Sequence, residues 1–424
     1  MIVIVSVASI IAYTVSLIKF NNKWVQQQIL FLVVYLIGLT IVGEMDVLLP
    51  IYFIFSLLPF LRHIRRISVF TAAISLYYGL YLVYGLFNQN ITGTLITFIT
   101  KMWQFIVFFI VNEADIKIQT ENNKKTICFA VFIEILLGLY LMATSTNMDA
   151  NGLVRLVANS QPITGNISTV LLPISIYFYF KNRGNGKQSK WLLFVSLIML
   201  VFVILSGTRG YTLEFAATMF LIFYDYFTNG SVGKTVQGNR MLMCVLLGTA
   251  AFLCVVAVPE ITEKAVSVLR LKSSVGIRTY ENAAVRDFIS KTSLCTALFG
   301  IGLGGQGGSY QAMKNALYSQ FSLGMWNKDH YLYDSGALFH SLYANVIMCM
   351  GVIGIFVLVR INIEMWKRIT YSCSQKLIRR VLHLFQLSFL LMNYYRWSAT
   401  CGIAEMIILA LILKSLKKDK IENG

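Results

Sequence analysis

The sequence predicts an all-α polytopic membrane protein of about 12–13 transmembrane helices with one long extracytoplasmic loop. Three observations carry that expectation. Apolar residues make up 57% of the chain and charged residues 13%, with a mean hydropathy of +0.68. Soluble domains hold less apolar residue, roughly 45–50%. Apolar runs of bilayer-crossing length, about 17–25 residues, recur along the whole chain. The Lys and Arg residues gather in alternate short loops, the pattern that sets orientation in a bilayer.

The expected spans are approximately 2–20, 29–43, 47–61, 67–87, 95–112, 126–145, 163–180, 190–206, 211–228, 241–258, 336–359, 378–394 and 398–414. The first run has no basic segment before it and no small-residue cleavage site, so it reads as a retained helix rather than a signal peptide. The second and third runs are short and parted by Gly43-Glu44-Met45-Asp46. Merging them gives the lower count.

One class of loops carries most of the positive charge. It holds Lys19 and Lys23, Arg62, Arg65 and Arg66, Lys117, Lys124 and Lys125, the 181–190 cluster, Lys234 and Arg240, Arg360 to Arg380, and the Lys414–Lys420 tail. By the positive-inside rule this class faces the cytoplasm. The N-terminus then lies outside and the C-terminus inside. Residues 1–258 carry the first ten spans, 259–335 form an exterior loop, and 336–424 carry the last spans and a cytoplasmic tail. The net charge of +17 is accounted for by this asymmetry and does not call for nucleic acid. None of the seven cysteines forms a CxxC pair, which speaks against a metal or disulfide framework.

The exterior loop has soluble character. Pro259 to Arg286 reads as short amphipathic helix, Gly300 to Gly308 is glycine-rich, and Tyr310 to Tyr333 is aromatic and polar. A loop of this length between helices is commonly functional or disordered, and its aromatic content argues for order.

The chemistry-bearing residues lie on this expected outer side. Arg209 sits in Ser206-Gly207-Thr208-Arg209-Gly210 at the end of an apolar run. A cation at membrane depth is costly and marks a functional site by default. Read in isolation, Arg209 also fits an interfacial anchor. Arg278 and Arg286 lie in the loop, where solvated helix charges are the plain alternative. Phe299-Gly300-Ile301-Gly302-Leu303-Gly304-Gly305 follows them. It mimics part of a dinucleotide fingerprint but lacks the βαβ context. His340 opens the next apolar run, eleven residues before Gly351-Val352-Ile353-Gly354. Glu134, Glu214 and Glu405 lie in or near apolar spans, where a carboxylate can mark an ion path.

The ordered set of Ser206–Gly210, the arginine-bearing segment before Phe299–Gly302, and His340 ahead of Gly351–Gly354 resembles the superfamily of bacterial O-antigen polymerases and O-antigen ligases. In motif terms the resemblance covers about 205–360, and in hydropathy the whole chain. It implies a GT-C-like membrane glycosyltransferase acting outside the cytoplasmic membrane on an undecaprenyl-diphosphate-linked oligosaccharide. Polymerisation of repeat units into O-antigen, capsule or exopolysaccharide is the implied reaction. Transfer to another acceptor, as in a ligase, is the alternative. Ligases commonly carry His-Asn where this chain has His340-Ser341.

The implied roles suit the residue types. Arginine keeps its charge and grips phosphate oxygens with a planar fork, so Arg209 and Arg278, with Arg286, are expected to hold the diphosphate. Which of the two loop arginines matters more stays open. Histidine titrates near working pH, so His340 is the expected base toward the acceptor hydroxyl. No metal or cofactor is required, and no Asp-x-Asp is present. The bilayer, a flippase and a chain-length regulator are the implied partners. A polysaccharide flippase or other transporter is the competing class, though no internal repeat supports it.

Overall fold

The computed structural model describes residues 2–19, 23–42, 45–89, 91–116, 123–144, 147–148, 154–155, 157–158, 161–162, 285–286, 288–305, 341–373, 376–395 and 400–422. This part is mostly helical. In chain order it contains α1 (Ile2–Lys19), α2 (Trp24–Val42), α3 (Met45–Leu61), α4 (Val69–Asn88), α5 (Ile91–Thr97), a π-helical turn (Phe98–Met102), α6 (Trp103–Glu113) and α7 (Asn123–Thr144). After α7 come two antiparallel pairings of two residues each, Asn147–Met148 with Val154–Arg155 and Val157–Ala158 with Gln161–Pro162. Then follow α8 (Leu294–Phe299), α9 (Leu342–Ser372), α10 (Lys376–Tyr395) and α11 (Thr400–Glu422).

The helices lie on the expected apolar runs. Two of them, α4 and α9, are long and apolar enough to cross a membrane. The short second and third runs are described as two helices, one ending at Val42 and the other beginning at Met45. The expected 95–112 span is instead α5, the π turn and α6 in sequence. The expected 336–359 span begins later, at Leu342, and continues to Ser372. Expected spans between 163 and 258 lie outside the described residues, as does most of the expected loop 259–335.

Local chemistry sets the helix starts. Ser68, Ser293 and Ser341 are all extended N-caps, and their hydroxyls accept from the backbone amides of Thr71, Thr296 and Ala344. Each satisfies one of the amides that a helix start leaves without an intrahelical partner. Inside the bundle, α6 presents Phe105, Phe108 and Phe109 fully buried. It packs chiefly on α11, while α2 packs on α1, α3 and α7, and α9 packs on α8 and α10. The outer faces are apolar too. Along α4, Val69, Leu76, Leu80, Val83 and Phe87 are all exposed, at helical spacing. Along α9, Phe356, Val359 and Ile363 are exposed in the same way. Stripes of this kind are too extensive for water and mark contact with lipid or protein.

The two ends of the bundle differ. At one end Trp24 of α2 packs on Phe60 and His63 beyond α3, and the Asp115 amide donates to the His63 carbonyl at 2.8 Å. Ser68, Glu113, Arg368 and Lys414 meet there as well. At the other end the close of α4, the start of α5, the glycine segment 300–305 and the first turns of α9 come together.

Candidate functional site

The glycine segment docks on α9 at a break in that helix. Gly351 has φ +66° and ψ −166°, a conformation that interrupts the helix two turns in and that L-residues rarely adopt. A Cβ there would overlap the Leu298 carbonyl. The match is reciprocal. Gly300 closes α8 at φ +76°, and a Cβ on it would overlap the Cys349 backbone. The break leaves carbonyls before it without helical amide partners, and buried backbone acceptors need them. The glycine segment supplies the amides. Ile301 N–H donates to Met348 O and Gly302 N–H to Cys349 O, both at 3.0 Å, and the Gly304 amide donates to the Cys349 thiol.

On its other edge the same segment is held by side chains of α4 and α5. The Tyr81 hydroxyl donates to Phe299 O at 2.7 Å, Gln89 Nε2 to Ile301 O at 2.9 Å, and Thr94 Oγ1 to Leu303 O at 2.8 Å. Every second carbonyl is taken. The segment is a strap between two helical walls, and Leu303 within it is fully buried. Irregular backbone is tolerated when it is buried in protein with its polar groups paired.

Arg286 lies just before this strap. Residues 285–286 and 288–291 are helical. Val285 is buried against Ala344 and Met348 of α9, with Phe288, Ile289, Ile301 and Ile347 packed around them. Arg286 itself is exposed. The arginine-bearing turn is thus seated on the first two turns of α9. That helix starts at the buried N-cap Ser341, the residue after His340. Asn345 Nδ2 donates to Ser341 O at 2.8 Å and tightens the start. Arg209, Arg278 and His340 lie outside the described residues.

The burial of Ser341 bears on the His-Ser pair. Ser and Asn cap helices about equally well. A buried cap at this position reports a helix start and carries no information about the acceptor.

At the opposite end stands a charged knot. The Glu113 carboxylate accepts from Ser68 Oγ at 2.5 Å, Thr71 Oγ1 at 2.7 Å, Arg368 NH2 at 2.8 Å and the Ser68 amide at 3.0 Å. Arg368 also donates to Asn112 Oδ1 and lies over the Phe109 ring. Lys414 donates to the carbonyls of Asn112, at 3.1 Å, and Ala114. Burial raises the Glu113 pKa, but the hydrogen bonds from Ser68, Thr71 and Arg368 outweigh it and hold the carboxyl below its ordinary value.

Lys101, in the π turn, and Glu134 and Glu405 are buried. None of the three stands without an interaction partner. Among the described residues no three of His, Cys, Asp and Glu gather as a metal-holding group. No known protein-family model matches this chain, and no curated protein matches it.

Sequence reasoning missed Tyr81, Gln89 and Thr94. Their partners lie more than 200 residues away along the chain. The available signal was the spacing of the glycines, which marks close backbone approach but not the wall approached.

Proposed function

We propose that this chain polymerises undecaprenyl-diphosphate-linked oligosaccharide repeat units at the outer face of the bacterial cytoplasmic membrane. The observation that carries the reading is the seating of the Arg286 turn on the first turns of α9, directly after His340. The turn that carries Arg286 and Ser341, the residue that follows His340 in the sequence, lie at the same end of the bundle.

In this reading the chain is a multi-pass membrane protein of about 12–13 spans. The exposed apolar stripes of α4 and α9 support it. So does the convergence of Arg65, Arg368 and Lys414 on one end, the charge asymmetry expected of a cytoplasmic face. The strap and the start of α9 then face the exterior, with the N-terminus outside and the C-terminus inside.

The acceptor hydroxyl oxygen attacks the anomeric carbon of the donor. The bond from that carbon to the diphosphate oxygen breaks, and the lipid diphosphate leaves with the electron pair. Arg209 and Arg278, with Arg286, bind the diphosphate and stabilise its developing charge. His340 takes the hydroxyl proton. One attack from the opposite face inverts the anomeric centre. Ligase-type transfer uses the same residues with another acceptor.

The test is turnover in liposomes of a lipid-diphosphate-linked repeat unit by wild type, Arg209→Ala, Arg286→Ala and His340→Ala. A ladder of multimers from wild type, lost in Arg209→Ala and His340→Ala, supports the reading. Arg209→Lys should also lose most activity, because a point charge does not replace the fork. A single addition to a non-repeat acceptor would turn the assignment to a ligase. Movement of the lipid-linked sugar across the bilayer without any new bond would replace it with a flippase. In that case the buried Lys101, Glu134 and Glu405 become the residues to vary.

A further inference from the structure

We propose that Tyr81, Gln89 and Thr94 are positioning residues that clamp the 299–305 strap and so set where the Arg286 turn sits on α9. The functional half of this rests on the polymerase reading; the mechanical half does not.

The strap carries only three side chains, Phe299, Ile301 and Leu303, of which Leu303 is fully buried. Four of its seven residues are glycine, which is the least restrained backbone. Apolar packing of Ile301 and Leu303 seats it, and hydrogen bonds to its backbone set its register. One edge is satisfied by the broken helix, through Met348 O, Cys349 O and the Cys349 thiol. The other edge depends on three side chains, which reach Phe299 O, Ile301 O and Leu303 O. Those carbonyls alternate along the strap, so the three donors fix its register as a neighbouring strand would.

The clamp is joined to the arginine turn by a short, rigid path. α8, capped by Ser293 and closed by Gly300, spans Leu294–Phe299. Ile301 of the strap packs in the same apolar cluster as Val285. A shift of the strap along α9 would carry the Arg286 turn with it. Misplacement of a catalytic cation by about 1 Å is enough to cost much of the rate.

Cys349 reports the clamp directly. It is fully buried beneath the strap, while Cys373, the C-cap at the far end of α9, is buried away from it. The experiment uses full-length protein in which only these two cysteines are kept and N-ethylmaleimide as the probe. Modification of each is followed by mass spectrometry. Tyr81→Phe combined with Thr94→Val removes two donors while keeping shape. The expected result is a rise of roughly tenfold or more in the Cys349 rate, since each lost hydrogen bond shifts local opening several-fold. Cys373 should not change. Thr94→Ser in place of Thr94→Val should restore most of the protection. In turnover, kcat should fall while KM for the lipid-linked donor moves little.

No change at Cys349 would overturn the clamp. A parallel rise at Cys373 would overturn it too, because the variant would then loosen the whole helix. Opening at Cys349 with unaltered turnover would overturn the positioning role. A wild type that forms no glycosidic bond but shows the expected Cys349 pattern would sink the polymerase reading and leave the clamp standing.

Discussion

Two arginines mark the two ends of the bundle, and their surroundings are opposites. Arg368 is mostly buried, bonded to Glu113 and Asn112, and stacked over Phe109. Arg286 is exposed beside a strap held entirely by uncharged groups. One end is fastened by ionised side chains, the other by backbone amides, carbonyls and three neutral donors. The lesson concerns availability. Arg368 is already committed to a protein carboxylate, so its charge serves architecture. Arg286 is exposed, as its proposed role toward an anionic substrate requires. The neutral end is also the less tolerant one, because it works through direct contact of main chain with main chain.

The sharpest way to break this comparison is at the helix break. Gly351→Ala forces a strained φ and overlaps the Leu298 carbonyl, and should cost about 3 kcal/mol or more. A melting curve in detergent reads it. Gly79→Ala is the matched control, since its Cβ meets nothing within 4 Å. It should leave stability unchanged or raise it by about 0.5–1 kcal/mol. Equal losses in both would refute the close docking.

Next in size is Glu113→Gln, which leaves Arg368 only the longer ion pair to Glu364, at 3.7 Å. A loss of about 1–3 kcal/mol is expected, again from the melting temperature. The pH dependence sharpens this. The folded pKa of Glu113 is depressed, so its contribution is present above its ordinary value of 4.5 and fades as pH falls through the lower folded value. The gap between wild type and Glu113→Gln should therefore be full near neutrality and close below pH 4.5. A gap that is constant with pH would mean the carboxylate charge is not what the knot uses.

The smallest effects are expected at exposed charges. Arg65→Ala removes an ion pair to Asp115 in which both side chains are largely exposed, and should shift stability by no more than about 0.5 kcal/mol. Arg286→Ala should do as little to stability, while lowering turnover in the liposome assay. If Arg286→Ala melted the protein, the contrast between a structural and an available arginine would fail.

Much of the scaffold was legible because its cause is local. The apolar runs act over a few residues, and those that fall on described residues correspond to observed helices. Boundaries were less legible. The continuation of α9 past residue 359 runs through Arg360, Glu364, Lys367 and Arg368, charges that end an apolar run without ending a helix. The π turn at Phe98–Met102 had no compositional signal at all. The glycine run and the Gly351-Val352-Ile353-Gly354 stretch were visible separately as unusual spellings. That Gly300 and Gly351 exist for each other was not.

By itself the sequence determined the helical class and the approximate places of the described helices, because hydropathy is a property of neighbouring residues. The tertiary structure alone decided that the strap lies between α4, α5 and α9, that Glu113 answers Arg368 across the bundle, and that the Arg286 turn rests on the start of α9. Those outcomes depend on hydrogen bonds and packing between groups far apart in the chain. A backbone carbonyl or amide has the same identity at every position, so a linear chain does not show which one a tyrosine, a glutamine or a threonine will reach.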